Sequence, residues 1–131
     1  MIVVDSNILA YLYLPSAHTE RAESLLGLDS DWAAPILWRS EFRNILTGYL
    51  RRKLLSLDHA IRIQREAESF LLGAEYEIES EAVLALARDS PCSAYDCEFV
   101  ALAMKLNSRL VTMDRALLRA FPNCTQMLPA S

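Results

Sequence analysis

The chain has 131 residues, 53% of them hydrophobic and 23% charged, with a formal net charge of −4. That is enough apolar material for one compact domain spanning residues 1–131, without a disulfide or zinc staple, and too little charge for a disordered chain. No stretch approaches the roughly 18 unbroken apolar residues of a membrane helix, and an acidic balance counts mildly against a nucleic-acid binder.

Ile2-Val3-Val4 is a β-branched run ending at Asp5 and reads as a buried strand. No basic region precedes it, so a signal peptide is not expected and a cytoplasmic location is. A helix is expected over Ser6–Tyr13, stopped by Pro15, and another over Ala17–Leu28 with Ala22, Leu25 and Leu26 inward. Trp32–Ala34 reads as a second strand ended by Pro35. Leu37–Leu54 reads as a long helix whose apolar stripe is Phe42, Ile45, Leu46 and Tyr49. Asp58 is the expected N-cap of a helix reaching Leu72. Ala74–Ile78 follows as a third strand, then a helix over Glu81–Asp89 capped by Ser80. Beyond Pro91 come a helix over Tyr95–Asn107, a fourth strand over Arg109–Thr112, a helix over Ala116–Phe121 and a fifth strand at Thr125–Leu128. Strands alternating with helices imply an α/β fold with a parallel sheet covered on both faces.

The chemistry has few carriers. Only three glycines are present, so there is no phosphate-binding glycine loop. Cys92, Cys97 and Cys124 lack zinc-site spacing and read as reduced thiols. His18 and His59 fall near helix starts, in no nucleophile or metalloprotease context. Carboxylates remain. Asp5 follows the first strand and Asp114 follows the fourth, and ligands of open α/β sheets bind beyond such strand ends. If those strands are neighbours, the two acids converge. Asp96 shares a helix face with Phe99, Val100 and Ala103, and Glu41 shares one with Asn44, Ile45 and Gly48, where Gly48 would permit close backbone approach.

Gathering four carboxylates is costly: two charges about 4 Å apart repel by about 4 kcal/mol at an effective dielectric near 20. No Lys or Arg interleaves them, and hard oxygen donors select Mg²⁺ or Mn²⁺ over zinc. Such an ion suits phosphodiester hydrolysis. A plainer reading stands beside this one. Asp5 and Asp114 can be ordinary N-caps, Ser93-Ala94-Tyr95-Asp96 resembles a capping box, and Glu41 can be a solvated first-turn acid. The basic run Arg51-Arg52-Lys53, with Arg62 and Arg65, is either a solvated face or an RNA track. A receiver domain would need paired acids after the first strand, and a haloacid-type phosphatase an Asp at position 7, where Asn7 stands.

Four segments bear a family likeness: Val4-Asp5-Ser6-Asn7-Ile8-Leu9, Glu41-Phe42-Arg43-Asn44-Ile45-Leu46, the run from Tyr95-Asp96-Cys97 to Ala103, and Leu110-Val111-Thr112-Met113-Asp114. Their order and spacing resemble PIN-domain ribonucleases, most of all the VapC toxins of toxin–antitoxin pairs. The resemblance implies a three-layer α/β/α domain with a five-stranded parallel sheet. It implies an acidic pocket of Asp5, Glu41, Asp96 and Asp114 binding Mg²⁺ or Mn²⁺, with Asn7 and Thr112 orienting the ligands or their waters. The implied reaction is endonucleolytic RNA cleavage by metal-activated water. The implied partners are an inhibiting antitoxin and a second copy in a homodimer; a PIN-like module binding RNA or a partner without catalysis is the alternative. Met113 is bulkier than the residue common before the last acid of such proteins, which would tighten the pocket rim, and Glu98 is an extra acid near Asp96.

Overall fold

The computed structural model describes residues 1–130. In chain order the elements are β1 (Ile2–Val4), α1 (Ser6–Tyr13), α2 (Thr19–Leu28), β2 (Trp32–Pro35), α3 (Trp38–Arg51) and α4 (Leu57–Phe70). They continue with β3 (Glu75–Tyr76), α5 (Ser80–Arg88), α6 (Ala94–Lys105), β4 (Leu110–Thr112), α7 (Arg115–Ala120) and β5 (Thr125–Met127). The strands form one parallel sheet in the order β3-β2-β1-β4-β5, flanked by helices. Every expected element is present and the type of each is as expected.

Val3, Val4, Ala33, Ala34, Leu110 and Val111 are fully buried, which is what β-branched and small residues do in a parallel sheet covered on both faces. Strand order reverses at β1: the chain moves one way to β2 and β3, and the other way to β4 and β5. The crevice at the carboxyl ends of β1 and β4 is therefore the switch point at which such sheets bind ligands. Helices α1 and α3 pack together beside it, and α6 lies against β1, β2 and β4. No described helix is long and apolar enough to cross a membrane.

Several local readings need correction. Asp58 does not cap α4; Ser56 holds that position, and its side chain accepts from the His59 N–H at 3.1 Å. Asp58 lies in the first turn, where a negative charge suits the helix dipole. Replacing Ser56 with Ala should cost about 1 kcal/mol of stability, and Asp58→Ala distinctly less; urea melts of the two variants compare them. Ser80 is likewise the first residue of α5 rather than its cap, which is Glu79 without a capping side-chain bond. Helix α3 ends at Arg51, short of Leu54, because Lys53 takes a left-handed φ of 58° and the Leu54 N–H bonds back to the Tyr49 carbonyl at 2.9 Å. That is a Schellman-type stop without its usual glycine. Gly48 meets no close backbone approach: a Cβ there would have nothing within 4 Å.

Candidate active site

The sheet register builds the site. Val4 pairs with Val111, and the Asp5 N–H donates to the Val111 carbonyl at 3.1 Å, which sets Asp5 beside Thr112. The Thr112 hydroxyl donates to Asp5 Oδ2 at 2.7 Å and accepts from the Asp114 N–H at 3.0 Å. A buried threonine thus links the two strand-end acids. Helix α1 brings Ser6, only 3% exposed, whose hydroxyl donates to Glu41 Oε1 of α3 at 2.7 Å. Helix α6 supplies Asp96 in its first turn, with the Asp96 N–H donating to the Ser93 hydroxyl at 3.1 Å.

Asp5, Glu41, Asp96 and Asp114 all line one cleft of about 420 Å³. Asn7 lines it too, with its side chain exposed. No Lys or Arg lines it. Met113 does not reach this rim; it is half-buried and packs against the core. Glu98 faces another hollow, beside Ile78, Val83 and Leu84, yet its charge is felt at Glu41.

The capping readings divide. Asp114 does cap α7, accepting from the Ala116 and Leu117 N–H groups at 2.8 and 3.3 Å. The Ser93 end of the capping box is present. Asp5 occupies the N-cap position of α1 but makes no side-chain capping bond; its carboxylate turns to Thr112 instead. Capping therefore accounts for Asp114, whereas the Asp5 carboxylate is held chiefly by Thr112 across the sheet.

The cleft is electrostatically loaded. Burial raises the Asp5 carboxyl above its ordinary value, partly offset by the Thr112 hydroxyl and nearby backbone amides and reinforced by Asp96. Burial also raises Glu41, opposed by the Ser6 hydroxyl and reinforced by Asp5, Asp96 and Glu98. Asp96 is raised by burial and by Asp114, against the pull of Ser93. The acids surround the cleft rather than meet at a point: among the described residues no three His, Cys, Asp or Glu side chains are grouped closely enough to enclose an ion.

A stability consequence follows from these directions. A carboxyl whose folded pKa is raised binds its proton more tightly in the folded state. Folded stability is then fullest below the unfolded value and falls as pH rises toward the folded one. Asp29, Glu75 and Asp89 are shifted the other way, so their losses begin only below about pH 4–5. Thermal melts in EDTA should therefore show the midpoint rising as pH falls from neutral toward the ordinary carboxylate range. Asp5→Asn should flatten that rise. A midpoint falling throughout that window would contradict the loaded-cleft description.

Ser6 is the residue that sequence reasoning missed. A serine opening a helix looks like an ordinary first-turn residue, and only the packing of α1 on α3 reveals that it holds Glu41.

Comparison with known proteins agrees with this fold. The PIN domain family matches residues 2–121. Ribonuclease VapC3 of Pyrobaculum aerophilum is 32% identical over 124 residues, 92% of this chain and 95% of that protein. Among solved structures, PAE2754 of Pyrobaculum aerophilum has a TM-score of 0.75 at 23% identity, covering 97% of this chain and 83% of its own. A toxin–antitoxin complex from Klebsiella pneumoniae has a TM-score of 0.67 at 15% identity over the whole of both chains. At those identities the two structures speak for the fold alone. With the family matched over nearly the whole sequence, and a relative of this identity spanning it, the chain belongs to the PIN-domain family as a VapC-like member.

Proposed function

We propose that this protein is a Mg²⁺- or Mn²⁺-dependent endoribonuclease that hydrolyses RNA phosphodiesters, and that it is the toxin of a toxin–antitoxin pair. The observation that carries the proposal is the set of four carboxylates around one cleft with no basic side chain among the lining residues, at the switch point of the sheet. The relative named as a ribonuclease supports it.

The donor set suits a hard divalent cation in its chemistry, being oxygen throughout with no thiol or imidazole in the cleft, and the acids would have to draw closer than they stand here to enclose one. Asp5, Glu41, Asp96 and Asp114 would hold it. When bound, such a cation lowers the pKa of a water and stabilises charge on a phosphoryl oxygen. The chain's own part is orientation. Thr112 fixes Asp5, Ser6 fixes Glu41, and the backbone of α7 fixes Asp114. Asn7, which lines the cleft, would orient a water or the substrate. A divalent cation should stabilise the folded protein at neutral pH by relieving the carboxylate repulsion, by about 2.7 kcal/mol at a hundred times its dissociation constant. A midpoint unmoved by millimolar Mn²⁺ would count against the site.

The proposed partners are an antitoxin protein and a second copy of this chain, in the cytoplasm. A protein partner is supported by the apolar groove between α3 and α4, where Leu57 and Ile61 are exposed between Arg43 and Arg65. The toxin–antitoxin complex of the same fold supports an antitoxin as that partner.

Purified protein, free of any partner, incubated with end-labelled RNA in Mg²⁺ or Mn²⁺ and in EDTA, tests the activity. Cleavage with either cation and none in EDTA is the expected result. A folded protein that neither binds Mn²⁺ by calorimetry nor cuts any RNA would favour the alternative, a PIN-like module that binds without catalysis.

A further inference from the structure

The acidic cleft gives an incoming polynucleotide no cationic side chain to hold. Contacts that retain RNA without neutralising its phosphates are base stacking on aromatic rings and hydrogen bonds to base edges. The cleft carries both. Tyr95 is the sole aromatic among its lining residues, stands directly before Asp96 in the first turn of α6, and is 64% exposed. Among the described residues its ring pairs with no other aromatic ring. Asn7 of α1 and Asn44 of α3 are exposed and line the same cleft. The hydrogen bonds of the cleft go to Ser6, Thr112, Ser93 and the N–H groups of α7. Among the described residues none involves the side chains of Asn7, Asn44 or Tyr95.

Leaving a large ring in water offers the fold little, since apolar surface is better buried. Two free amides and a phenol hydroxyl lining the same cleft supply donors and acceptors without charge. We propose that Tyr95 is the stacking platform of a base subsite, on which one unpaired nucleobase lies next to the four acids with its edge toward Asn44 and Asn7. The proposal rests on the nuclease reading and assigns to the same cleft the part of the substrate it grips. A base inside a duplex is stacked on both faces and cannot lie on Tyr95, so the nucleotide beside the scissile phosphate must be unpaired. The amides then give the site a preference among bases, because each base presents a different edge.

Single-stranded RNA containing 5-iodouridine, photo-crosslinked to the protein in EDTA and mapped by mass spectrometry, tests the contact without requiring cleavage. A crosslink at Tyr95 is expected; crosslinks only elsewhere, or none, would overturn the subsite. Binding of fluorescein-labelled single-stranded RNA is measured beside it for Tyr95→Phe, Tyr95→Trp and Tyr95→Leu. The ring-bearing variants should stay within about twofold of the parent. Leucine should weaken binding about 5- to 150-fold, the range for losing one base–aromatic stack. Melting midpoints should be unchanged, because the ring is exposed. Equal affinity of the leucine variant, or a parent with no measurable affinity, would also overturn the proposal. The two readings fail separately. Crosslinking at Tyr95 without cleavage by the parent in Mg²⁺ or Mn²⁺ removes the nuclease and keeps the subsite. Cleavage with unchanged kcat/KM in Tyr95→Leu does the reverse.

Discussion

Asp5→Asn should yield a folded protein whose RNA cleavage has fallen on the order of 10²–10³-fold, the scale of losing one preorganised group that stabilises transition-state charge. The fold should survive for two reasons. Asparagine serves at an N-cap position about as well as aspartate, and the carboxylate it replaces makes no capping bond in any case. The amide oxygen can still accept from the Thr112 hydroxyl, which lies 2.7 Å from Asp5 Oδ2. What disappears is a negative charge that burial and Asp96 already disfavour. The cation-free melting midpoint should therefore hold or rise while activity falls, an opposition that a structural residue would not produce. Asp114→Asn should behave alike, whereas Asp114→Ala should also lose about 1 kcal/mol with the α7 cap. Initial cleavage rates and melts of the three variants make the comparison. Full activity in Asp5→Asn, or its unfolding, would remove Asp5 from the proposed ligand set.

How far the sequence reaches can be seen in particular residues. Strand β1 was readable because three β-branched or apolar residues end at a polar one, and β4 because Leu110-Val111-Thr112 repeats that signature before Asp114. The pairing of those strands, which turns two separate acids into neighbours, is a long-range property that no local pattern states. The family resemblance supplied it ahead of the geometry. Helix ends were harder. Asn107, with φ of 50°, ends α6 with a residue that tolerates the left-handed region, so the stop was close to the expected place. Lys53 does the same for α3 without any such chemistry to announce it. The cap of α4 was misread because Ser56 and Asp58 are both good cap residues two positions apart, and only geometry shows which side chain receives the His59 N–H. At the site itself the four acids were visible as residue types at suggestive positions. Their supports were visible unequally: Thr112 through resemblance, Ser6 not at all.

The largest loss of stability around the site is expected from Trp38→Ala, about 3–5 kcal/mol, or a drop in melting midpoint on the order of 10–20 °C. Trp38 is fully buried at the start of α3, three residues before Glu41. Its ring meets Phe42 edge-on at 5.7 Å, and Phe42 in turn meets Tyr13 of α1 at 6.2 Å, so one aromatic chain joins α3 to α1. Its indole N–H donates to Glu75 Oε2 of β3 at 2.7 Å, and Arg39 grips both oxygens of the same carboxylate at 2.6 and 2.7 Å. The Arg39 guanidinium holds Glu75 below the usual carboxylate range. The start of α3 is thus fastened to the sheet edge by one ring and one carboxylate, and that fastening sets where Glu41 enters the cleft. Trp38→Phe separates the two contributions. It keeps a ring against Phe42 and leaves Glu75 with both Arg39 bonds, so the lost hydrogen bond should cost only about 1–3 kcal/mol. Cleavage measured well below each variant's melting midpoint then tests whether the anchor also positions the acid. Trp38→Phe should retain most of the parent rate, and Trp38→Ala should lose about 10- to 100-fold, as removing support behind a ligand typically does. A destabilised Trp38→Ala protein that cleaves at the full parent rate would show that Ser6 alone is enough to hold Glu41 in place.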